Sequence, residues 1–195
     1  RSSMVGQLSA GYNQPDGVAV SILEHGKIAT ADAEKNYGAI DAGDNRLRTV
    51  RFTANVTEGK SGVFQLTFLG NGMTVGDYKL YKLHENDAVK YEYGKPAAEE
   101  MDSASGRWWV MEMDSLALLE PGDKLDMNKT YIAFFMIRDN DGVFDADATA
   151  GVIKDPVSLA TTGPMPDNGG SGASSNNDDG GSSSGCTVGS TPSYD

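Results

Sequence analysis

Residues 47–56, reading LRTVRFTANV, alternate apolar and polar side chains almost without a break. A period of two sends one set to one face of an extended chain and the other set to the reverse face. That is the pattern of a strand with one face buried. The pattern recurs. Residues 62–69 (GVFQLTFL) follow the turn residues Glu58, Gly59, Lys60, Ser61 and Gly62, and residues 77–83 (DYKLYKL) follow Gly70, Asn71 and Gly72. Residues 88–93, 107–113 and 130–137 come next, each rich in Tyr, Val, Phe, Ile or Trp and bounded by Gly, Asp, Asn or Pro. Residues 17–23 (GVAVSIL) add a strand near the front. This succession, with little helical periodicity, predicts an all-β chain: a single antiparallel β-sandwich, immunoglobulin-like or jelly-roll-like. A barrel is the alternative.

Two stretches are less regular. Residues 29–44 hold many Ala, Gly and Asp and read either as a short helix around 31–35 or as a long loop. Residues 113–119 have apolar spacing that suits one helical turn, but Glu120, Pro121, Gly122 and Asp123 stop it, so the segment reads as a linker between strands. At the far end, every residue from 168 to 185 is Gly, Ser, Ala, Asn or Asp. Such a run cannot bury enough apolar surface to offset its ordering entropy. Roughly 160 residues are left, the size of one ordinary domain. The expected organisation is an extended N-terminal segment (1–16), a sandwich domain (17–162) and a disordered or extended Gly/Ser-rich tail (163–195).

The formal net charge is −12 and the pI is near 4.5. A negative surface repels phosphate backbones and no basic cluster offsets it, so nucleic acid is excluded as a partner. Cys186 is the one cysteine, which rules out a disulfide within the chain. With His25 and His84 the only histidines, a structural zinc site lacks ligands. No segment approaches the roughly 18 to 20 apolar residues of a membrane-spanning helix. The chain opens on Arg1 with no export signal, which predicts a mature form whose signal has been removed.

Residues 62–155 carry a strand pair over 63–69, a Tyr/Lys-rich strand over 78–83 and an aromatic-rich strand over 107–113. They close with Asp139-Asn140-Asp141-Gly142-Val143-Phe144-Asp145-Ala146-Asp147 and then Gly151-Val152-Ile153-Lys154-Asp155-Pro156. In this order of parts the chain resembles the choice-of-anchor U domain of bacterial surface proteins, with the closing segment the most specific part of the match. The resemblance covers about half the chain and implies a domain without catalysis, followed by a C-terminal anchor. The tail residues Gly180 to Gly189, GGSSSGCTVG, in turn resemble the Cys-containing C-terminal sorting signals of Gram-negative bacteria. That likeness implies routing by surface-sorting machinery with Cys186 at the anchor point. Membrane attachment would come only through a C-terminal helix that these 195 residues do not include.

Three groups of residues invite chemistry. Asp139, Asp141, Asp145, Asp147 and the nearby Asp155 place carboxylates at alternate positions, where they can turn toward one hard cation; Ca²⁺ takes about six to eight oxygens. The run is not an EF-hand: counted from Asp145, Ala150 stands where that loop needs Gly and Pro156 where it needs Glu. The competing reading is a solvated acidic turn. Trp108 and Trp109, with Tyr91 and Tyr93, are a candidate aromatic platform for a sugar. Adjacent strand residues face opposite sides, so only one Trp is expected in the core. Val5 and Leu8 in the first segment, and Val188 in the tail, are candidates for strand donation to a neighbouring chain's open sheet edge. His25 and His84 have no nucleophile motif beside them, and Glu99-Glu100 and Glu112 with Asp114 read as surface charge.

These features predict a non-enzymatic, secreted protein of the bacterial cell surface with a structural or adhesive role, no required cofactor, and Ca²⁺ as an optional ligand. The alternatives are a self-assembling fibre subunit in which identical chains exchange strands, and a carbohydrate-binding module.

Overall fold

A computed structural model of the chain describes residues 5–163. The elements run β1 (Ser9–Ala10), β2 (Val20–Ile28), α1 (Thr30–Asn36), β3 (Asp44–Val56), β4 (Ser61–Leu69), β5 (Tyr78–Leu83), β6 (Ala88–Lys90), β7 (Glu92–Tyr93), β8 (Arg107–Glu112), β9 (Thr130–Arg138) and β10 (Val152–Thr162). They form two five-stranded sheets, in the order β1-β4-β9-β8-β7 and β2-β3-β10-β5-β6. Every pairing is antiparallel except β7 with β8. The sheets pack face to face as a sandwich, not as a closed barrel.

Alternation within the strands builds the interface between the sheets. Val50, Phe52, Ala54 and Val56 of β3 are all buried, while Arg51 and Asn55 between them are exposed. Phe52 reaches across to β4 and β9, with its ring centroid 4.9 Å from Phe64 and 6.2 Å from Phe135. At the other end Phe68 of β4 meets Tyr78 of β5 at 5.1 Å. Tyr78, Leu80 and Lys82 therefore share the inner face of the second sheet, by the period of two along β5.

The first sheet is buried on its outer face too. Val63, Trp109, Ile132, Phe134 and Met136 form a cluster there, closed by Met101 from the 94–106 segment. The edge of Tyr12 packs on the Phe134 ring at 5.4 Å. The outer face of the second sheet carries a smaller cluster of Tyr81, Leu83 and Ala160, against which Tyr37 and Ile40 pack. The segment around 29–44 thus resolves as helix α1 plus a loop that covers this face, with Ala33 fully buried.

Three expectations change. Residues 5–11 belong to the sandwich: Val5 bridges Phe68, the Gly6 N–H donates to Thr67 O at 2.6 Å, and β1 pairs Ser9 with Gln65 and Ala10 with Phe64. The strand expected over 88–93 is split. Its first half pairs with β5 in one sheet and its second half with β8 in the other, and the crossing falls at buried Tyr91. Residues 113–119 form the linker expected of them, a single turn closed by the Leu116 N–H on Glu112 O that doubles back along β8, with Leu116 at φ 59° and the Leu119 N–H on Val110 O. Finally, β10 was not apparent in the sequence, yet it is the central strand of its sheet.

Candidate functional site

The acidic segment 139–151 leads from the end of β9 into β10. Its carboxylates are occupied in shaping the loop. Asp141 Oδ1 accepts the backbone N–H groups of Val143, Phe144 and Asp145, each at 2.9 Å, and its Oδ2 accepts the Ser105 hydroxyl at 2.5 Å. Asp145 Oδ2 accepts the Asn140 N–H at 2.6 Å and its Oδ1 the Asp147 N–H at 3.1 Å. Asp139 Oδ2 ties the loop to the β3–β4 turn, accepting the N–H groups of Gly151 at 2.9 Å and Gly59 at 2.8 Å. Asp147 caps the Thr149 N–H at 2.8 Å. This is how Asp side chains stabilise turns, by standing in for backbone acceptors. Burial pushes the fully enclosed Asp145 carboxyl above its ordinary value, against the pull of its two N–H donors. The Thr149 backbone N–H holds Asp147 below it.

Two physical observations weigh against the calcium expectation. The oxygens that a cation would need are largely spent on backbone N–H groups. Asp155, moreover, does not belong to the loop at all. It lies on β10 opposite Phe52 of β3, which puts its side chain on the inner face of the second sheet. Among the described residues, no group of three or more His, Cys, Asp or Glu is placed to hold a metal ion.

Asp155 instead meets Lys82. Lys82 lies opposite Val157, two residues along β10, so the two side chains are diagonal neighbours on one face. Lys82 Nζ is in direct contact with Asp155 Oδ1, and the two side chains are 3% and 0% exposed. Burial lowers the Lys82 amine to about 8, opposed by the negative charges of Asp145 and then Asp141. His84, just beyond β5, borders the same region: burial and then Lys82 push its imidazole down, while the Val143 backbone works the other way. A charged pair between two sheets is costly to desolvate unless its remaining lone pairs are hydrogen-bonded. Among the described residues, neither Asp155 oxygen has a partner in a hydrogen bond of ordinary geometry, and Asp139 Oδ1 is likewise without one. Sequence reasoning missed Lys82. The one available signal was its parity with Tyr78 and Leu80, which puts a lysine on a core face.

The proposed aromatic platform is also corrected. Trp108 and Trp109 do face opposite sides, but both are buried, at 2% and 1% exposure. Trp108 lies edge-on to Tyr93 at 5.2 Å, and Trp109 stacks on Phe134 at 5.7 Å beneath the 94–106 segment. Tyr91 is buried between Phe135 and Phe144. The 94–106 segment closes Trp109 off from solvent, while Trp108, Tyr91 and Tyr93 line a small cavity with Tyr78 and Pro121 and present no open ring face.

Val5 and Leu8 are each 3% exposed and are accommodated along the chain's own β4 edge, not left for another chain. Gln14 completes the seam: its Nε2 donates to Val63 O at 2.7 Å and its Oε1 accepts the Val63 N–H at 2.8 Å. Arg48 Nη2 reaches Val5 O at 2.6 Å from the other sheet. Cys186, Val188 and the tail lie outside the described residues.

Taken together, the fold defines an all-β sandwich protein with a buried Lys–Asp pair between its sheets. Comparison with protein-family models, with curated proteins and with solved structures found no match.

Proposed function

We propose that the chain is a non-enzymatic structural module of the bacterial cell surface, a sandwich that bears load transmitted through its C-terminal tail. The observation that carries this reading is the position of β10. It runs directly into the segment that precedes the tail, and it is clamped on both sides, with all 11 of its residues paired to β3 and Val157 to Thr161 also paired to β5. Hydrogen bonds between antiparallel strands lie perpendicular to the strands. A pull along β10 therefore loads the bonds on both flanks together instead of opening them one at a time. The buried tryptophans and the self-shaped acidic loop support a scaffold in preference to a sugar-binding or metal-binding module.

Two measurements test this. Antibody labelling of intact source cells should detect the domain on the surface, and deleting residues 164–195 should release it to the medium. Pulling single molecules by the tail should give one abrupt, high-force rupture. Absence of surface label, or β10 peeling away at low force, overturns the reading.

A second reading shares the location. Residues 5–11 already behave as a strand laid on the β4 edge. A segment that pairs within its own chain can pair with the same edge of a second copy by exchange, which would make a fibre. Sedimentation of the purified chain separates the two: a discrete monomer opposes exchange, and polymers that vanish on deletion of residues 1–12 support it.

A further inference from the structure

Lys82 and Asp155 lie on neighbouring strands, on the inner face of one sheet, with nucleophile and carboxyl in contact and water excluded. We propose that they join through an intramolecular amide, an isopeptide bond between Lys82 Nζ and Asp155 Cγ that covalently staples β5 to β10.

The hydrogen-bonding of the pair points this way. A buried ion pair persists when its spare lone pairs and protons find partners. Among the described residues, neither Asp155 oxygen accepts a hydrogen bond of ordinary geometry, and the Lys82 nitrogen has, apart from Asp155, the Lys154 carbonyl alone within reach, at 3.5 Å. Nζ stands nearer to Oδ1 than a hydrogen bond requires. An amide resolves this poor solvation, because it replaces two buried charges with one neutral carbonyl and one N–H.

The chemistry needs no co-reactant. Between the sheets, where Asp155 lies opposite Phe52 and both side chains are buried, a proton passes from the ammonium to the carboxylate, since burial disfavours both charges. The lowered basicity of Lys82 leaves its free amine available as a nucleophile near neutral pH. The Nζ lone pair then attacks Cγ and the Nζ–Cγ bond forms. Nζ gives up a proton, the Cγ–OH bond breaks, and the hydroxyl leaves with that proton as water. No atom is oxidised or reduced. Fixed proximity within one folded chain supplies the high effective concentration that amide formation between an amine and a free acid otherwise lacks.

The test is mass spectrometry of the full chain. The intact protein is expected to weigh one water less than its sequence. A digest is expected to yield one branched peptide joining the segments around Lys82 and Asp155. A mass equal to the sequence, with both segments recovered as linear peptides, overturns the proposal, and this reading of the unaltered protein does not depend on any variant folding. Lys82→Arg and Asp155→Ala should each restore the full mass; a water still missing from either assigns the bond elsewhere and overturns this pairing. These outcomes hold wherever the protein is displayed, so they are separable from the load-bearing reading.

Discussion

Trp109 stacks on Phe134 with ring centroids 5.7 Å apart, on the face of the first sheet that points away from the second. That face would be solvent-exposed in a plain two-layer sandwich. Here Met101 and Tyr12 cover it, giving the molecule a third, partial layer. Truncating the indole would leave a large void beneath that cover. Trp109→Ala is expected to destabilise the fold by about 3–5 kcal/mol, read as a lower urea midpoint. In the unaltered protein, soluble and insoluble polysaccharides should leave the tryptophan fluorescence unchanged.

The N-terminal segment closes the β4 edge, and an open edge is a template for pairing with other chains. Removing residues 1–12 should convert a monomer into concentration-dependent aggregates, seen by sedimentation velocity. A synthetic peptide spanning residues 4–12 should reverse this. Leu8→Ala, which keeps the backbone pairing but empties the side-chain site, should cost about 2–5 kcal/mol.

Asp139 links the acidic loop to the β3–β4 turn through two N–H donors, Gly59 and Gly151. Asp139→Ala leaves both donors without that acceptor, at an expected cost of about 1–3 kcal/mol. Amide hydrogen exchange should locate the loss: the Gly59 and Gly151 protons should exchange faster, and those of β9 should not.

On the surface of the second sheet, Asp41 accepts hydrogen bonds from Lys90 at 2.7 Å and Lys79 at 3.3 Å. Lys90 first, then Lys79, hold its carboxyl below the ordinary value of 3.8. A depressed carboxylate contributes stability that is present above its unfolded value and is lost as pH falls through the folded one. Asp41→Asn should therefore be less stable than the parent at neutral pH, and the two melting curves should converge as pH drops below 3.8. Added salt should narrow the gap at neutral pH, because all three groups are solvent-accessible.

The strands with one buried face and one open face were readable because alternation reports burial directly, as in β3. Where that condition fails, the pattern fails. Pro156 in the middle of β10 argues against a central strand, because proline gives no ladder N–H. The β5 ladder begins only at Val157, just past the proline, so the strand accommodates it. Parity correctly separated the two tryptophans but could not reveal the 94–106 cover, which is a long-range contact with no local signature. The acidic run was visible as a turn. Its split into a loop that consumes its own carboxylates and a core Asp155 depends on Lys82, a residue more than seventy positions earlier. The strand pattern places Lys82 on a core face, but only the tertiary pairing of β5 with β10 supplies its partner.

The place of β10 also sets an order of assembly. It is the last described strand in the chain and the central one in its sheet. Until residues 152–162 arrive, β2-β3 and β5-β6 are two separate hairpins with no shared ladder, and the inner face that holds Phe52 has nothing to close it. A chain emerging from its N-terminus cannot complete this sheet early. It must wait for a contact spanning about a hundred residues, between Asn55 and Val152 at one end and Asp44 and Thr162 at the other, and such late, distant closures fold slowly. The growing polypeptide consequently stays threadable until residues 152–162 have been made, because only they join the two halves of this sheet.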